Sequence, residues 1–243
     1  MMDETFCRLA RVIGADALER LKNAHVVLFG VGGVGGFAAE ALARSGVGEI
    51  TLIDGDDVAR SNINRQVIAL NSTIGRSKVE VARERLLDIN PNMRVNALQQ
   101  VFLPGGEVPF GKDVSYVIDA IDTVAAKVEL VRVCRKMDVP LISCMGTGNK
   151  LDPTLLRVSD IFSTEVCPLC RVMRHELRKR GIDRLKVVYS PEPPRMPIDD
   201  GEQAQASRRS VPGSTMFVPP VAGIMLAREV VLSIVGDALA DAR

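Results

Sequence analysis

A glycine-rich heptapeptide, GVGGVGG at residues 30–36, is the feature that most constrains how this chain can fold. It follows HVVLFG at 25–30, a β-branched run typical of a strand, and overlaps VGGFAAEALARSG at 34–46, an alanine-rich segment typical of a helix. Glycines at such a junction let the backbone approach phosphates, and the helix N-terminus adds unpaired N–H groups. The sequence therefore predicts a nucleotide-binding turn formed by Gly30, Gly32, Gly33 and Gly35. A tight turn without a ligand is the alternative.

The alternation of strands and helices continues after this turn. EITLID at 49–54 has the pattern of a second buried strand, and SKVEVARERLLDIN at 77–90 that of an amphipathic helix. One more helix and three more strands are predicted at 124–138 and at RVNALQQ, SYVIDAID and PLISCM. Such alternation favours a parallel sheet with its ligand crevice at the carboxyl ends of the strands. We therefore predict an α/β fold with a Rossmann-like, doubly wound, mostly parallel sheet.

The character of the chain changes after residue 150. We predict one domain over 1–243, with a nucleotide-binding core at 1–150 and a C-terminal helix at 213–243 that packs on this core. The intervening part, 151–212, contains DPTLLRVSDIFS, which suggests a strand leaving the sheet, and then a basic helix. Its last portion is rich in Pro, Ser and charge, which predicts a long mobile loop.

Composition leaves the partner open and favours a cytoplasmic protein. The 31 Lys and Arg residues nearly balance the 30 Asp and Glu residues, so only local charge can indicate nucleic-acid binding. MMDETFCRLARVIG at the start carries acids and no long apolar run, unlike a secretory signal. The longest apolar stretch, 216–236, is interrupted by Pro219, Pro220, Arg228 and Glu229. We expect a buried or dimer-interface helix there, and no stable membrane association.

A set of polar residues follows the second predicted strand. Asp54 ends that strand, where a dinucleotide-binding protein holds a ribose. Asn62, Arg65 and Gln66 lie one loop further on, and Lys78 lies on the next helix. Cations that converge on phosphates are what cleavage between the α- and β-phosphates of a nucleotide requires. A nicotinamide-binding protein is the alternative, although the two histidines of the chain lack a recognisable catalytic context.

Asp122 is the predicted metal ligand. DAID, at 119–122, ends a strand at the expected crevice, where a carboxylate can hold Mg²⁺ against phosphates because a hard cation prefers oxygen ligands. Asp119 is expected to be a structural or capping acid instead, with a nucleotide contact as the alternative.

The glycine turn, Asp54, Asn62-x-x-Arg65-Gln66, Lys78 and Asp122 at these intervals resemble the ThiF/MoeB/HesA superfamily, whose members adenylate a carboxylate using ATP and Mg²⁺. The resemblance implies that Gly33 lies against the nucleotide, that Asp54 holds the ribose, and that Asn62, Arg65 and Lys78 bind phosphates. It further implies that Arg8 reaches the active site of the other subunit, which predicts a homodimer. Arg65, Lys78, Asp122 and Arg8 are therefore the expected catalytic residues.

The second half of the chain resembles the tRNA threonylcarbamoyladenosine dehydratase branch of that superfamily. This resemblance rests on MGTGNKLDPT, CPLCRVMRHELRKRGI, KVVYSPEPP and PGSTMFVPPVAGIMLAREVV. It implies an ATP-dependent cyclisation of the modified nucleoside through a carboxyl-adenylate, with tRNA as the substrate. An adenylyltransferase for a ubiquitin-like sulfur carrier is the second hypothesis, and a non-catalytic nucleotide sensor is a third. A sulfur-transfer protein is a further candidate partner.

One CxxC pair, Cys167 and Cys170, bears on the choice between these branches. Members that activate sulfur carriers commonly hold a structural zinc through two such pairs, and this chain has no second one. No structural zinc is therefore expected. The pair is interpreted instead as a helix start with two partly buried thiols, of which Cys167 is acidified by the helix N-terminus.

A local cluster of positive charge occupies residues 171–184, opposed there by only Glu176 and Asp183. Such a cluster on a neutral protein is suited to a phosphate backbone, although a solvated helix face is the common alternative. The predicted tRNA-binding residues are Arg171, Arg174, Arg178, Lys179, Arg180 and Arg184.

Overall fold

The computed structural model describes residues 4–196 and 212–242. Seven α-helices are described: α1 (Cys7–Ile13), α2 (Ala15–Lys22), α3 (Gly35–Arg44), α4 (Lys78–Ile89), α5 (Val124–Met137), α6 (Pro168–Arg178) and α7 (Val218–Val235). Seven strands are described: β1 (His25–Phe29), β2 (Glu49–Ile53), β3 (Arg94–Leu98), β4 (Tyr116–Asp119), β5 (Leu141–Cys144), β6 (Arg157–Asp160) and β7 (Lys186–Tyr189). The predicted mobile loop lies mostly at 197–211, outside the described residues.

The strands form a single sheet in the order β3-β2-β1-β4-β5-β7-β6. Every neighbouring pair is parallel except β6 and β7, which are antiparallel. The order reverses between β1 and β4, which makes the carboxyl ends of these two strands the topological switch point. The predicted doubly wound, mostly parallel sheet is confirmed. The expectation that DPTLLRVSDIFS leaves the sheet is wrong, because residues 157–160 of this segment form its antiparallel edge strand.

Helices cover both faces of the sheet, as parallel strands require. Alternate residues of β1 belong to different cores, since Val26 and Leu28 pack with α2, α3, α4 and α7. Val27 and Phe29 point to the opposite face and pack with α5. A third cluster joins α6 to β7. The apolar strands are therefore buried on both sides, and the polar residues that follow them collect at the strand ends.

Helix α7 packs closely on α3, directly behind the glycine-rich turn. A Cβ atom added at Gly223 would lie 2.2 Å from the Val34 carbonyl oxygen, so only glycine permits this approach of the two helices. By length and composition, Val218–Leu239 could cross a membrane, but half of its most apolar stretch is buried inside the fold. Core helices of soluble proteins have the same composition, and the position of α7 is that of a core helix.

Candidate active site

Two of the four predicted glycines are required by the fold itself. Gly30 has φ +88°, and a Cβ atom there would lie 2.7 Å from the Ala120 carbonyl oxygen. A Cβ atom at Gly35 would lie 1.7 Å from the Gly30 carbonyl oxygen. The turn is thus wound tightly on itself and lies against the segment that follows β4.

At the other two glycines, Gly32 and Gly33, an added Cβ atom would meet no atom closer than 3.3 Å. A Cβ atom at Gly32 would have a single neighbour within 4 Å, Gln66 Nε2 at 3.8 Å. At Gly33 the nearest atoms would be Arg65 Cγ at 3.3 Å and Pro219 Cβ at 3.4 Å. Gly32 is therefore free of fold contacts that would demand glycine, which is the arrangement expected where a ligand approaches the backbone.

Asp54 is bound to the glycine turn. Its Oδ2 accepts a hydrogen bond from the Val31 N–H at 2.7 Å, and its Oδ1 accepts one from the Asp56 N–H at 2.9 Å. Each carboxylate oxygen has two lone pairs, so both can still accept a hydroxyl donor such as that of a ribose. The carboxylate is thus held in a fixed orientation beside the predicted phosphate-binding backbone.

Lys78 brings a buried positive charge to the same place. It is the first residue of α4, is 6% exposed, and has its Nζ 3.8 Å from Asp54 Oδ1. Its close partner is Asp56, whose Oδ2 lies 2.6 Å away and whose side chain is 72% exposed. A buried ammonium that is paired to a surface carboxylate can exchange that partner for a phosphate oxygen at low cost.

The loop at 60–66 supplies the remaining predicted nucleotide contacts. Asn62 is buried, and its Oδ1 accepts the Ala59 N–H at 3.1 Å, which closes the loop on itself. Arg65 donates through Nη1 to the Ser61 carbonyl at 2.9 Å and to Asn64 Oδ1 at 3.0 Å. The loop therefore holds the stem of the Arg65 side chain against Gly33 and fixes its guanidinium on the loop itself.

Gln66 provides an indication of a missing ligand. Its side chain is 6% exposed, and its Oε1 is buried with no hydrogen-bond partner among the described residues. Burying an amide oxygen without a donor costs about 1–3 kcal/mol. The Gln66 Nε2 lies next to Gly32 and can donate to a phosphate oxygen there, while a hydroxyl group of the same ligand can supply the donor that Oε1 lacks.

Asp122 lies on the segment after β4, which borders Gly30. The side chain is exposed, and its Oδ1 accepts a hydrogen bond from the Thr123 hydroxyl at 3.2 Å. Within residues 4–196 and 212–242, no group of three or more His, Cys, Asp or Glu side chains could hold a metal ion. Mg²⁺ commonly binds through one or two carboxylates and takes its other ligands from phosphates and water. A single free carboxylate at this position fits that mode of binding.

Sequence patterns did not reveal the partners of Asp119. The carboxylate is fully buried and binds Lys127 Nζ at 3.0 Å and the Ser143 hydroxyl. Lys127 is also fully buried, and this pair gives Asp119 the structural role expected for it. The available signal was a lysine at an otherwise apolar face of the helix α5.

Arg8 and the basic cluster lie outside this crevice within one chain. Arg8 is an exposed residue of α1, which packs on α2 and on the segment that follows α7. Arg171, Arg178 and Arg184 are exposed, and the Arg178 guanidinium lies 5.2 Å from the centre of the Phe162 ring.

Three other members of the basic cluster have protein partners. Lys179 and Arg180 both pair with Glu176, at 3.0 and 2.8 Å. Arg174 is half-buried, and its Nη1 donates to the Thr164 carbonyl at 2.9 Å. Arg174 therefore anchors α6 to the preceding loop and is the least available member for a phosphate backbone.

Cys167 precedes α6 and Cys170 lies in its first turn, as the CxxC pair predicts. Both thiols are buried. The hydrogen bond from Cys170, against the opposing effect of burial, lowers the pKa of Cys167 to about 5, helped by the N–H groups of Cys170 and Gly146 and by the Lys150 ammonium. The same hydrogen bond raises the pKa of Cys170. The predicted acidification of Cys167 has a structural basis, while the absence of zinc stays a prediction.

Comparisons with known proteins agree with this geometry. The model of the ThiF family matches residues 6–241. The tRNA threonylcarbamoyladenosine dehydratase of Bacillus subtilis (strain 168) is 44% identical over 241 residues, which cover 96% of this chain and 95% of that protein. That of Escherichia coli (strain K12) is 40% identical over 210 residues, 82% of this chain and 77% of that protein. The crystal structure of the E. coli enzyme TcdA in complex with ATP has a TM-score of 0.82 and 34% identity, covering 95% of this chain and 93% of that one.

Proposed function

The chain belongs to the ThiF family, and from that premise we propose that it is an enzyme that uses ATP to dehydrate threonylcarbamoyladenosine in tRNA. The observation that carries this proposal is similarity over nearly the whole chain, 44% identity over 96% of its length, to a dehydratase of that specificity. Similarity confined to the nucleotide-binding half would not distinguish this activity from other adenylations, because that half binds ATP in every adenylating enzyme of this kind.

The crevice at the switch point holds ATP. Asp54 receives the ribose hydroxyls, while the backbone at Gly32 and Gly33 lies against the phosphates. Arg65 and Lys78 neutralise the charge that develops as pyrophosphate leaves. Gln66 supports a ligand at this place, because its Nε2 can donate to a phosphate oxygen beside Gly32 and its Oε1, unpaired among the described residues, can accept from a ligand hydroxyl. Asn62 completes the phosphate contacts from the same loop.

Asp122 is the residue that would hold Mg²⁺ in this crevice. The ion, when bound, withdraws charge from the phosphate oxygens and so makes pyrophosphate a better leaving group. The exposed carboxylate of Asp122, which has only a hydroxyl donor on Oδ1, supports this assignment. No step requires the protein to supply a second metal ligand.

The reaction has two stages. A carboxylate oxygen of the threonyl group attacks the α-phosphorus of ATP, which forms an acyl-adenylate and breaks the bond to pyrophosphate. The carbamoyl nitrogen then attacks the activated carbonyl carbon, loses its proton, and expels AMP. The product is a ring with one water fewer than the substrate. Because the nitrogen nucleophile belongs to the substrate, the protein needs no covalent nucleophile of its own.

The partners follow from the substrate and from the exposed surface. Arg171, Arg178 and Arg184, which are exposed and have no ion-pair partner among the described residues, bind the tRNA backbone through their positive charge. A homodimer is supported by exposed apolar side chains, with Val12 on α1 at 73% and Ile224 on α7 at 50% exposure. Arg8 would then reach the active site of the second subunit. We place the protein in the cytoplasm with its tRNA substrate, and association with a sulfur-transfer protein stays a prediction.

The test is to incubate the protein with ATP, Mg²⁺ and tRNA that carries threonylcarbamoyladenosine, and to analyse the nucleosides by mass spectrometry. The proposal predicts loss of one water mass from the modified nucleoside and equal release of AMP. An ATP analogue that cannot be cleaved between the α- and β-phosphates serves as the control. An unchanged nucleoside, together with pyrophosphate exchange that is stimulated by a small carrier protein, would show an adenylyltransferase instead.

A further inference from the structure

Two opposite charges are fully buried beneath the crevice. Asp119, the last residue of β4, and Lys127, on the first turn of α5, are both 0% exposed, and their charged atoms lie 3.0 Å apart. Ser143 joins them, since its hydroxyl donates to Asp119 Oδ2 and lies 3.2 Å from Lys127 Nζ. All three side chains belong to the interior, so none of them reaches the nucleotide or the tRNA.

Stability alone does not account for such a pair. Both ions lose their hydration on folding, and replacing a buried ion pair by apolar residues of similar volume is often neutral or stabilising. What an apolar pair would lose is the set of directed hydrogen bonds that these groups make with the backbone. Those bonds identify what the pair controls.

The directed bonds of the pair reach the ends of two neighbouring strands, β4 and β5, and a backbone bond links the same segment to β1. Asp119 Oδ1 accepts the N–H of Ile121 at 3.1 Å, in the segment that leads to Asp122. Lys127 Nζ donates to the carbonyl of Cys144, the last residue of β5, at 2.7 Å. The intervening residue, Ala120, donates its N–H to the Phe29 carbonyl at 2.8 Å, at the end of β1.

The segment at 120–122 has little freedom to shift. A Cβ atom added at Gly30 would lie 2.7 Å from the Ala120 carbonyl oxygen. This segment and the nucleotide-binding turn are therefore in direct contact. Rotation of the Ile121 peptide would therefore disturb the turn and redirect the Asp122 side chain together.

We infer that Asp119 and Lys127 are positioning residues that fix the backbone at 120–122 and thereby aim Asp122 at the metal–nucleotide complex. The inference rests on the proposed function, because it takes Asp122 as the Mg²⁺ ligand. Groups that orient a metal ligand without touching the metal commonly change metal affinity when they are replaced.

Two double variants separate this role from simple packing. Asp119→Leu with Lys127→Met removes the charges and the acceptor for Ile121. Asp119→Asn with Lys127→Met also removes the charges but keeps an acceptor oxygen for Ile121. Leu130→Ala is the matched control, because Leu130 is fully buried on the same helix and its apolar side chain makes none of the hydrogen bonds that hold the backbone at 120–122.

Three measurements are made on each full-length variant. These are thermal unfolding, amide hydrogen exchange at 120–123 without ligands, and the Mg²⁺ concentration for half-maximal AMP release at saturating ATP and tRNA. For the Leu/Met variant we expect faster exchange at 120–123 and a Mg²⁺ requirement raised about 10- to 100-fold. The Asn/Met variant should recover most of both properties. Leu130→Ala should melt at a lower temperature with an unchanged Mg²⁺ requirement.

One result for each double variant overturns the inference, and the result for the Asn/Met variant decides alone where the Leu/Met variant does not fold. For the Leu/Met variant these are wild-type exchange and a wild-type Mg²⁺ requirement. For the Asn/Met variant the contradicting result is a loss as large as that of Asp122→Ala. Should wild-type protein release no AMP at all, the proposed function fails, whereas hydrogen exchange still reports whether the pair fixes 120–122.

Discussion

Two alanine substitutions in the glycine turn have opposite expected effects. At Gly35 the new methyl group would lie 1.7 Å from the Gly30 carbonyl oxygen, so the two groups must separate by about 1.7 Å before ordinary contact begins. At Gly32 the only atom of the described residues within 4 Å is Gln66 Nε2, at 3.8 Å, and the backbone lies outside the left-handed region. Gly35→Ala therefore damages the fold, while Gly32→Ala leaves the fold intact and blocks the ligand.

The magnitudes follow from these contacts. Overpacking at Gly35 should lower the free energy of unfolding by about 1–3 kcal/mol, which corresponds to a fall in Tm of about 2–12 °C for a domain of this size. Alanine at Gly32 should change stability by at most about 1 kcal/mol, because the site accommodates a methyl group without strain. A methyl group that clashes with the bound phosphates at a cost of about 2.7 kcal/mol, within the range for overpacking, should weaken ATP binding about 100-fold.

Thermal unfolding with and without ATP measures both effects. At an ATP concentration about 100 times Kd, wild-type protein should gain about 2.7 kcal/mol, a Tm increase of about 5–11 °C. Gly32→Ala should unfold at nearly the wild-type temperature without ATP and gain only about 1 °C with it. A full ATP-dependent increase in the Gly32→Ala variant would refute a nucleotide at this turn, and wild-type stability of Gly35→Ala would refute the contact with Gly30.

Three further outcomes are expected. Arg65→Ala should reduce adenylation about 100- to 1,000-fold, measured as pyrophosphate release, because the departing pyrophosphate loses the guanidinium that neutralises its charge. Its Tm should stay nearly unchanged. Arg8→Ala should also be inactive, but mixing it with Arg65→Ala should restore activity, since one mixed site then has both arginines. Glu40→Gln should lower stability near neutral pH and lose this effect in acid. Although burial alone raises the pKa of Glu40, hydrogen bonds from Arg85 and Arg44 lower it below 4.5, so its contribution is present above 4.5 and disappears as pH falls through the folded-state value.

Each outcome has a result that would contradict it. Wild-type turnover of Arg65→Ala rejects its catalytic role, and a mixture of the two arginine variants that stays inactive rejects a site shared between subunits. A stability difference between wild type and Glu40→Gln that persists unchanged into acid would show that its carboxylate charge contributes nothing. Unfolding curves recorded across that pH range provide this comparison.

The sequence predicts the order of the elements because parallel strands, buried on both faces, give continuous apolar runs. β1 and β2 are such runs, and each ends in the residues that form the crevice. β6 was misplaced for a physical reason. The sequence of a short strand does not indicate which strand it pairs with. The antiparallel pairing of β6 with β7 joins residues that are far apart in the chain.

The site was predicted in part, and the limits are again set by contacts between distant segments. Asp54 and Lys78 lie close together, since one directly follows the strand β2 and the other begins the following helix. Gly30 is required by its contact with Ala120, whereas Gly32 lies in open space beside Gln66. No spacing rule in the sequence relates Ala120 or Gln66 to the turn. The sequence puts Lys127 on an otherwise apolar face of α5, but only the fold shows that Asp119 is its partner.

The most direct test of the account follows oxygen through the reaction. The tRNA is prepared with heavy oxygen in the threonyl carboxylate, and the AMP released by the protein in the presence of ATP is examined by mass spectrometry. If the carboxylate attacks the α-phosphorus and AMP departs from the acyl carbon, each AMP carries one heavy oxygen. Release of AMP without the label, while the cyclic nucleoside still forms, would contradict a carboxyl-adenylate and with it the central claim.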